Sequence, residues 1–369
     1  MHIKNLKLHN FRNYDDISIN FSSKSNIIIG NNGSGKTNIV EAIYVLGLTK
    51  SFRGTTESVL IKNDKNETII EGDIYNDLTK KYTVSFSNKE KKVKINNKVV
   101  DKISNYISNI NIILFNPDDL KVIKLSPNLR RKMLNIDISQ LNNKYLINLS
   151  IYNKLLKQRN SYLKTLYLNN YASKEYLDIL TNKLIELGQS IYLERKLFLE
   201  KINSKISKIY KNICKDGILE VFYYSIYNDS LEKVKKKYKD NLNKDLMFGK
   251  TEIGIHHDDI IFKLDGNLLK DYGSEGQQKN AILAFKLSEI DIFKEIKKNN
   301  PILILDDLFS ELDNEKINNI MKYLNNDIQK FITVTDLDYV NKKFINESNV
   351  FEVKNGYIKN FNRGEINEE

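Results

Sequence analysis

Between an apolar run and a helical pattern the chain reads Gly30-Asn31-Asn32-Gly33-Ser34-Gly35-Lys36-Thr37, which matches the phosphate-binding pattern G-x-x-x-x-G-K-T in full. Its glycines let the backbone wrap around phosphate oxygens, so that N–H groups and the positive end of the next helix face the anion. Lys36 is placed to reach the β and γ phosphates, and Thr37 offers a hydroxyl to Mg²⁺. The pattern predicts a nucleoside triphosphate site at residues 30–37 and at the following residue, Asn38.

The residues on either side of this turn support the same interpretation. Residues 25–29 are a short apolar run typical of a buried strand. Apolar and small residues then recur at helical spacing: Ile39, Val40, Ile43, Leu46 and Gly47. A strand, a glycine-rich turn and a helix in this order favour a nucleotide site over a phosphate-free loop.

Length and charge limit the classes of protein to consider. With 369 residues and 41% hydrophobic content, the chain is long enough for two domains or for one domain with a large insertion. The formal charge of +11 suggests a polyanionic partner, because lysine and arginine gain free energy by releasing counterions from phosphate backbones. An AT-rich coding bias would also produce a chain rich in Lys, Asn and Ile, so charge alone leaves both explanations open.

Cysteine content and hydropathy bear on the compartment. Cys214 is the single cysteine, so no internal disulfide can form, and no Cys/His spacing typical of zinc occurs. The chain has no apolar run of about 18 residues, and its first eight residues alternate like a strand. We therefore expect a cytoplasmic protein that neither spans a membrane nor is exported.

Hydrophobic periodicity divides the chain into regions. The first 116 residues are mostly strand-like, with runs at 17–21, 68–74, 82–86, 93–95 and 110–115. From about 126 to 211 the period becomes helical, and two apolar stripes on either side of Asn169-Asn170 predict two long antiparallel helices. A strand is expected at 219–227, and α/β patterning resumes at Ile260.

Two features of the middle region have an ordinary and a functional explanation. The helical stripes fit a plain hydrophobic core or a groove for a partner. The lysine-rich helix expected at 233–239 fits a solvated surface or a contact with nucleic acid.

A second motif completes the expected nucleotide site. Residues 301–307 are Pro-Ile-Leu-Ile-Leu-Asp-Asp, a buried strand that ends in two carboxylates. Open α/β sheets place ligands at such strand ends. We expect Asp306 to complete the Mg²⁺ shell together with Thr37, and Asp307 to orient the water that attacks the γ-phosphate, with Lys36 as the third catalytic residue.

A small polar turn at 272–278 precedes a helix expected at 279–293. Small residues at a helix N-terminus leave unpaired N–H groups open, so Ser274, Gly276 and Gln277 form a second candidate phosphate contact. Two phosphate-facing turns can serve one nucleotide only from opposite sides. This favours a site shared between two subunits, and hence a nucleotide-dependent homodimer.

Taken together, the motifs resemble the ABC-type head of the SMC class of ATPases, and more narrowly the RecF family of bacterial DNA replication and repair proteins. The resemblance covers the whole chain and keeps the order of the family. It rests on Leu8-His9-Asn10-Phe11-Arg12-Asn13-Tyr14, the Walker A turn at 30–37, Phe115-Asn116-Pro117-Asp118-Asp119-Leu120, Ser126-Pro127 with Arg130-Arg131, Gln158-Arg159-Asn160, the signature Ser274-Glu275-Gly276-Gln277-Gln278, the Walker B pair Asp306-Asp307, the D-loop Ser310-Glu311-Leu312-Asp313 and the switch segment 333–336.

The resemblance implies an α/β ABC-type P-loop ATPase head with an inserted, mainly helical arm. The head would comprise 1–125 and 251–369, and the arm 126–250. The nucleotide would be ATP with Mg²⁺, held by Lys36 of one subunit and by Ser274 and Gly276 of the other. The implied activity is ATP-dependent dimerisation and DNA binding with weak, DNA-dependent hydrolysis. RecR and RecO would be partners in directing RecA onto gapped DNA and in the SOS response.

The chain also departs from the family pattern, and other functions must be weighed. The family usually has Gln at the position of Glu275, and Pro and Arg at those of Ile255 and His257. His256-His257-Asp258-Asp259 suggests a metal cluster, but neighbouring side chains on a strand point to opposite faces. A transporter-type ATPase and a P-loop kinase share the Walker motifs, although the helical insertion argues against the first and the signature against the second. The inserted helices are too short for a long SMC coiled coil.

Overall fold

The computed structural model describes residues 1–88, 90–168, 173–214, 217–324, 327–354 and 356–361. They fall into two compact units. Unit 1 is drawn from Met1–Leu120, Asn212–Lys215 and Lys286–Glu369, and unit 2 from Lys121–Lys211 and Asp216–Phe285. The segment borders expected from the sequence, 1–125, 126–250 and 251–369, stay a prediction, and residues 251–285 belong to unit 2.

Strands predominate before Phe115, and helices predominate between Pro127 and Cys214. The strands are β1 (His2–Phe11), β2 (Tyr14–Asn20), β3 (Ser25–Ile29), β4 (Glu67–Asn76), β5 (Leu78–Ser87), β6 (Lys91–Ile95), β7 (Lys98–Val99), β8 (Ile112–Phe115), β9 (Leu219–Tyr224), β10 (Asp259–Leu264), β11 (Asn267–Leu268), β12 (Ile302–Asp306), β13 (Lys330–Val334), β14 (Asn349–Lys354) and β15 (Tyr357–Phe361). The α-helices are α1 (Lys36–Leu48), α2 (Ser104–Ile107), α3 (Pro127–Leu141), α4 (Asn143–Leu168), α5 (Lys174–Cys214), α6 (Leu231–Asp240), α7 (Leu242–Phe248), α8 (Leu269–Tyr272), α9 (Glu275–Lys297), α10 (Asn314–Tyr323) and α11 (Lys342–Asn346).

Unit 1 contains two sheets of different character. The first, in the order β2-β1-β4-β5-β6-β7, is antiparallel throughout. The second, in the order β15-β14-β3-β13-β12-β8, is parallel except for the β14–β15 hairpin. The strands β12 and β13 are buried along their whole length, as the apolar runs of a parallel sheet covered on both faces require.

Helix α1 packs against strands of both sheets and is buried on nearly every side. Two glycines permit this close approach. A Cβ on Gly47 would lie 2.5 Å from Ile112 Cδ1, and a Cβ on Gly72 would lie 2.3 Å from Leu46 Cδ2. Because α1 follows the glycine-rich turn directly, this packing fixes the position of the turn in unit 1.

Unit 2 is built around the antiparallel helices α4 and α5. The prediction of two long antiparallel helices is therefore confirmed. The joint predicted at Asn169-Asn170 lies outside the described residues. Hydrogen bonds join residues further along α4 to residues progressively earlier in α5: Tyr145 with Arg195 (3.0 Å), Asn148 with Ser190 (3.0 Å) and Arg159 with Thr181 (2.9 Å). Strands β9, β10 and β11 form a three-stranded antiparallel sheet in the same unit.

Several sequence predictions agree with these elements. The five runs predicted in the first 116 residues fall in β2, β4, β5, β6 and β8. The lysine-rich segment is the helix α6, which buries Val234 and Tyr238. The strand expected at 219–227 ends at Tyr224, because residues 226–228 form a single 3-10 turn. Within the part of the chain that the structure describes, no helix is both long and apolar enough to cross a bilayer.

Candidate nucleotide site

The glycine-rich turn has a backbone that side chains would disturb. Gly33 and Gly35 have φ angles of 79° and 117°, a region that residues with a Cβ avoid. A Cβ on Gly35 would lie 2.7 Å from the Tyr14 hydroxyl oxygen, and one on Gly30 would lie 2.4 Å from the Val353 carbonyl oxygen. The turn is therefore pressed between β2 and β14, and its glycines are required by the structure as well as by a ligand.

Lys36 lies inside this turn. Its Nζ donates hydrogen bonds to the carbonyl oxygens of Gly30 at 2.5 Å and Asn31 at 3.1 Å, and the residue is 5% exposed. Burial lowers the pKa of Lys36, while the carboxylates of Asp307 and Asp306 oppose that shift. A cation that is partly desolvated and held by the turn is well placed for phosphate oxygens, because its attraction to them is little screened.

The carboxylate of Asp306 lies at the same edge of the sheet. Burial raises its pKa, and hydrogen bonds from the Thr333 and Thr37 hydroxyls act in the opposite direction. Thr333 Oγ1 donates to Asp306 Oδ1 at 2.8 Å. The two motifs, far apart in the sequence, are brought together because β13 lies between β3 and β12.

Asp307 follows Asp306 in a left-handed backbone conformation with φ of 51°. Its N–H donates to Thr333 Oγ1 at 2.8 Å, and its carbonyl oxygen accepts a hydrogen bond from Ser310 Oγ at 2.8 Å. Thr333 therefore contacts both acidic residues. The sequence placed Thr333 in the switch segment but predicted no contact for it.

These residues fit a triphosphate with a divalent cation. The first turn of α1 leaves N–H groups that have no partner within the helix, and they follow the turn directly. Lys36 supplies a positive charge for phosphate oxygens, while Thr37 and Asp306 supply the oxygen ligands that Mg²⁺ prefers. The arrangement is that of a phosphate site with a metal-facing carboxylate.

A buried ion pair that the sequence did not reveal lies behind the turn. Glu41 on α1 has no exposed surface and accepts hydrogen bonds from Arg12 at 2.7 and 2.9 Å. Arg53 lies 3.7 Å from Glu41 and donates to Asn38 Oδ1 at 3.1 Å. The Arg53 charge also acts to lower the pKa of Asp306. Glu41 is the one charged residue among residues 39–48 of α1, which marks a buried acid in the sequence but does not identify its partners.

The signature turn belongs to unit 2, whereas the glycine-rich turn, Asp306 and Thr333 belong to unit 1. Helix α9 begins at Glu275, four residues before the predicted start, so the signature residues occupy its first turn. The Ser274 N–H donates to Gln277 Oε1 at 2.9 Å, and the Gln277 N–H donates to Ser274 Oγ at 3.2 Å. This reciprocal capping box is a local reason for these two residue types.

The two residues on either side of Gln277 have different surroundings. The side-chain amide of Gln278, whose residue is buried, donates to the carbonyl oxygens of Leu269 and Gly273 at 3.0 and 3.2 Å, and so holds the turn to α8. Gly276 has no such internal role, since a Cβ there would approach only Ser274 Oγ, at 4.0 Å. Ser274, Gly276 and Gln277 are exposed.

The residues suggested as a metal cluster have other partners. Asp259 accepts two hydrogen bonds from Arg130, at 2.7 and 3.0 Å, and Asp258 pairs with Arg195 at 3.1 Å. His256 contacts the Tyr152 hydroxyl at 2.8 Å, and burial lowers the pKa of its imidazole to about 4. Among the described residues no group of three or more His, Cys, Asp or Glu side chains is arranged to hold a metal ion.

Comparison with known proteins places this architecture in a family. The model of the RecF/RecN/SMC N terminal domain matches residues 2–359. The DNA replication and repair protein RecF of Pediococcus pentosaceus is 36% identical over 368 residues, which cover 97% of this chain and 98% of the relative. RecF of Clostridium acetobutylicum is 38% identical over 367 residues, covering 98% and 100%. The chain belongs to the RecF family.

A solved structure agrees with this assignment. The recombination mediator protein RecF-ATP in the RecFOR pathway superposes with a TM-score of 0.90 at 31% identity, and the match covers 98% of both chains. The resemblance to RecF and the predicted ATPase-head fold with a helical insertion are thus confirmed. The transporter and kinase alternatives lose their support, because the whole chain follows the RecF pattern.

Proposed function

We propose that this chain is an ATP-driven switch that binds DNA in replication and recombinational repair. The observation that carries the proposal is the meeting of Lys36, Thr37 and Asp306 at one edge of the parallel sheet, where β13 separates β3 from β12. Family membership supports ATP as the nucleotide, and the donor set supports Mg²⁺ as the cation.

Each residue of the site has its own role in this function. Residues 30–38 cradle the phosphates, and Lys36 neutralises the charge on the β and γ phosphates. Thr37 and Asp306 hold Mg²⁺, which stabilises negative charge on the phosphate oxygens when bound. Asp307 orients the attacking water, while the hydroxyl of Thr333 holds the carboxylate of Asp306 and the backbone N–H of Asp307.

The second part of the proposal is a homodimer that shares two nucleotides. Ser274, Gly276 and Gln277 of one subunit contact the γ-phosphate bound to the other. Support comes from Gly276, because a glycine in the first turn of a helix costs stability, and among the described residues a Cβ there would approach only Ser274 Oγ, at 4.0 Å. An open, uncrowded helix N-terminus suits an anion that arrives from outside.

The proposal extends to DNA and to protein partners. The net charge of +11 supports binding through phosphates, which positions the protein without reading sequence. We propose that ATP holds the dimer on single-stranded or gapped DNA and that weak, DNA-dependent hydrolysis releases it. RecR and RecO are the proposed partners in loading RecA and in the SOS response.

The Ser274→Arg variant tests the shared site. The arginine side chain would fill the space in which the other subunit's γ-phosphate must lie. We expect light scattering to show dimers of the wild type with ATP and monomers of the variant, which should still bind ATP. Ser230→Arg is the matched control, since Ser230 also caps an exposed helix by accepting the Lys233 N–H. ATP-dependent dimers of Ser274→Arg equal to those of the wild type would refute the shared site.

A further inference from the structure

An open cleft in unit 1 starts beside the phosphate turn. It has a volume of about 540 Å³ and lies between β2 and β15, the strands at one end of each sheet order. Its lining includes Asn13, Asp15, Lys62, Phe351, Tyr357 and Asn360. Asn13 links the cleft to the turn, because its Nδ2 donates to the Ser34 carbonyl oxygen at 3.4 Å and its Oδ1 accepts from Asn38 at 2.7 Å.

Tyr357 stands in this cleft as an exposed aromatic ring, with 81% of its surface accessible. Its backbone is fixed, since it pairs with Lys354 in the β14–β15 hairpin. Gly356, just before it, has a φ of 83°, and a Cβ there would lie 3.2 Å from the Asn13 carbonyl oxygen. The backbone at Gly356 therefore lies close to Asn13, and Tyr357, which follows it on a paired strand, lines the cleft.

The charges of the cleft distinguish the two ends of a nucleotide. Asp15 and Asp16 line it, and the lysine that also lines it, Lys62, is paired with Asp15 at 2.6 Å. Carboxylates repel phosphate groups, so the triphosphate belongs at the turn with Lys36. The uncharged end of the nucleotide is the part that suits the cleft.

From this geometry we infer that Tyr357 forms a platform on which the base of the bound nucleoside triphosphate stacks. The inference rests on the proposed function, since it requires the triphosphate to lie on residues 30–38. Every nucleobase has a π-face, and removing an aromatic partner typically weakens base binding by about 5- to 150-fold. The platform therefore adds affinity for nucleosides beyond the affinity for phosphates.

Calorimetric titration of the full chain in Mg²⁺ with ATP and with inorganic triphosphate tests this inference. We expect Tyr357→Ala to weaken ATP binding by about 5- to 150-fold and to leave triphosphate binding unchanged. Tyr357→Phe keeps the ring and should bind ATP like the wild type. Tyr224→Ala serves as the control, because Tyr224 is also an exposed tyrosine but belongs to unit 2. It should change the affinity for neither ligand.

Two other results would speak against the inference, and they differ from each other. Wild-type affinity of Tyr357→Ala for ATP, with triphosphate bound normally, would overturn the platform and leave the proposed function intact. Failure of the wild type to bind either ligand would refute the proposed function, and the platform with it. Equal weakening of both ligands in Tyr357→Ala would show that the residue acts on the phosphate turn, and would also overturn the platform.

Discussion

Replacing Thr333 by valine keeps the shape of the side chain and removes the hydroxyl between the two acidic residues. Thr333 is 1% exposed. Its hydroxyl donates to Asp306 at 2.8 Å and accepts the Asp307 N–H at 2.8 Å. A hydrogen bond to a charged group contributes about 1.5–3 kcal/mol, and a buried N–H without a partner costs about 1–3 kcal/mol. We expect the free energy of unfolding of unit 1 to fall by about 3 kcal/mol.

Thr333→Ser is the matched control, because it keeps the hydroxyl and loses one buried methyl group, worth about 1 kcal/mol. Urea unfolding followed by circular dichroism gives both values from the shift in midpoint. The increase in melting temperature caused by Mg-ATP should also be smaller in Thr333→Val than in Thr333→Ser, since at equal concentration a more weakly bound ligand stabilises the folded chain less. If valine and serine at this position gave equal unfolding free energies, the hydroxyl would have no supporting role and the reasoning would be refuted.

Two further predictions concern buried charge in unit 2. Arg159→Met removes the ion pair that the Asp245 carboxylate, which has no exposed surface, makes at 2.7 Å. Urea unfolding should show that the free energy of unfolding falls by about 3–5 kcal/mol. The double variant with Asp245→Asn should recover part of this loss. The pKa of His256 is about 4 in the folded chain and 6.5 as its ordinary value. Between pH 6.5 and pH 4 the imidazole of His256 is therefore protonated in the unfolded chain but neutral in the folded chain. The stability that is present above pH 6.5 is lost as the pH falls toward 4. From pH 7 to pH 5 His256 should lower the free energy of unfolding of the wild type by about 2 kcal/mol, and His256→Gln should lack this loss. If the free energy of unfolding fell equally with pH in both proteins, the lowered pKa of His256 would be contradicted.

Local patterns in the sequence predicted local structure well. The phosphate turn and its flanking strand and helix were readable because their determinants lie within about twenty consecutive residues. The start of α9 was placed too late, although Ser274 and Gln277 have the spacing of a capping box. Small residues around Gly276 suggested a loop, and the side-chain cap outweighed their low helix propensity.

Features that depend on distant contacts were not readable. Strand composition at 260–264 gave no information on its neighbours, and β10 pairs with β9 in unit 2. The contacts of Arg12 and Arg53 with Glu41 join separate segments of the first 53 residues, and no periodicity marks them. The place of β13 between β3 and β12, which makes Thr333 a neighbour of Asp306, is likewise a property of the whole sheet.

The strand that leads into the phosphate turn depends on residues that are synthesised long after it. Both neighbours of β3, which are β13 and β14, come from residues 330–354. Until those residues have been made, this apolar strand lacks both of its neighbours in the sheet, which exposes the growing chain to aggregation. A product truncated before residue 330 would therefore be unable to bind nucleotide, however complete its Walker motifs, and would be a substrate for chaperones and proteases.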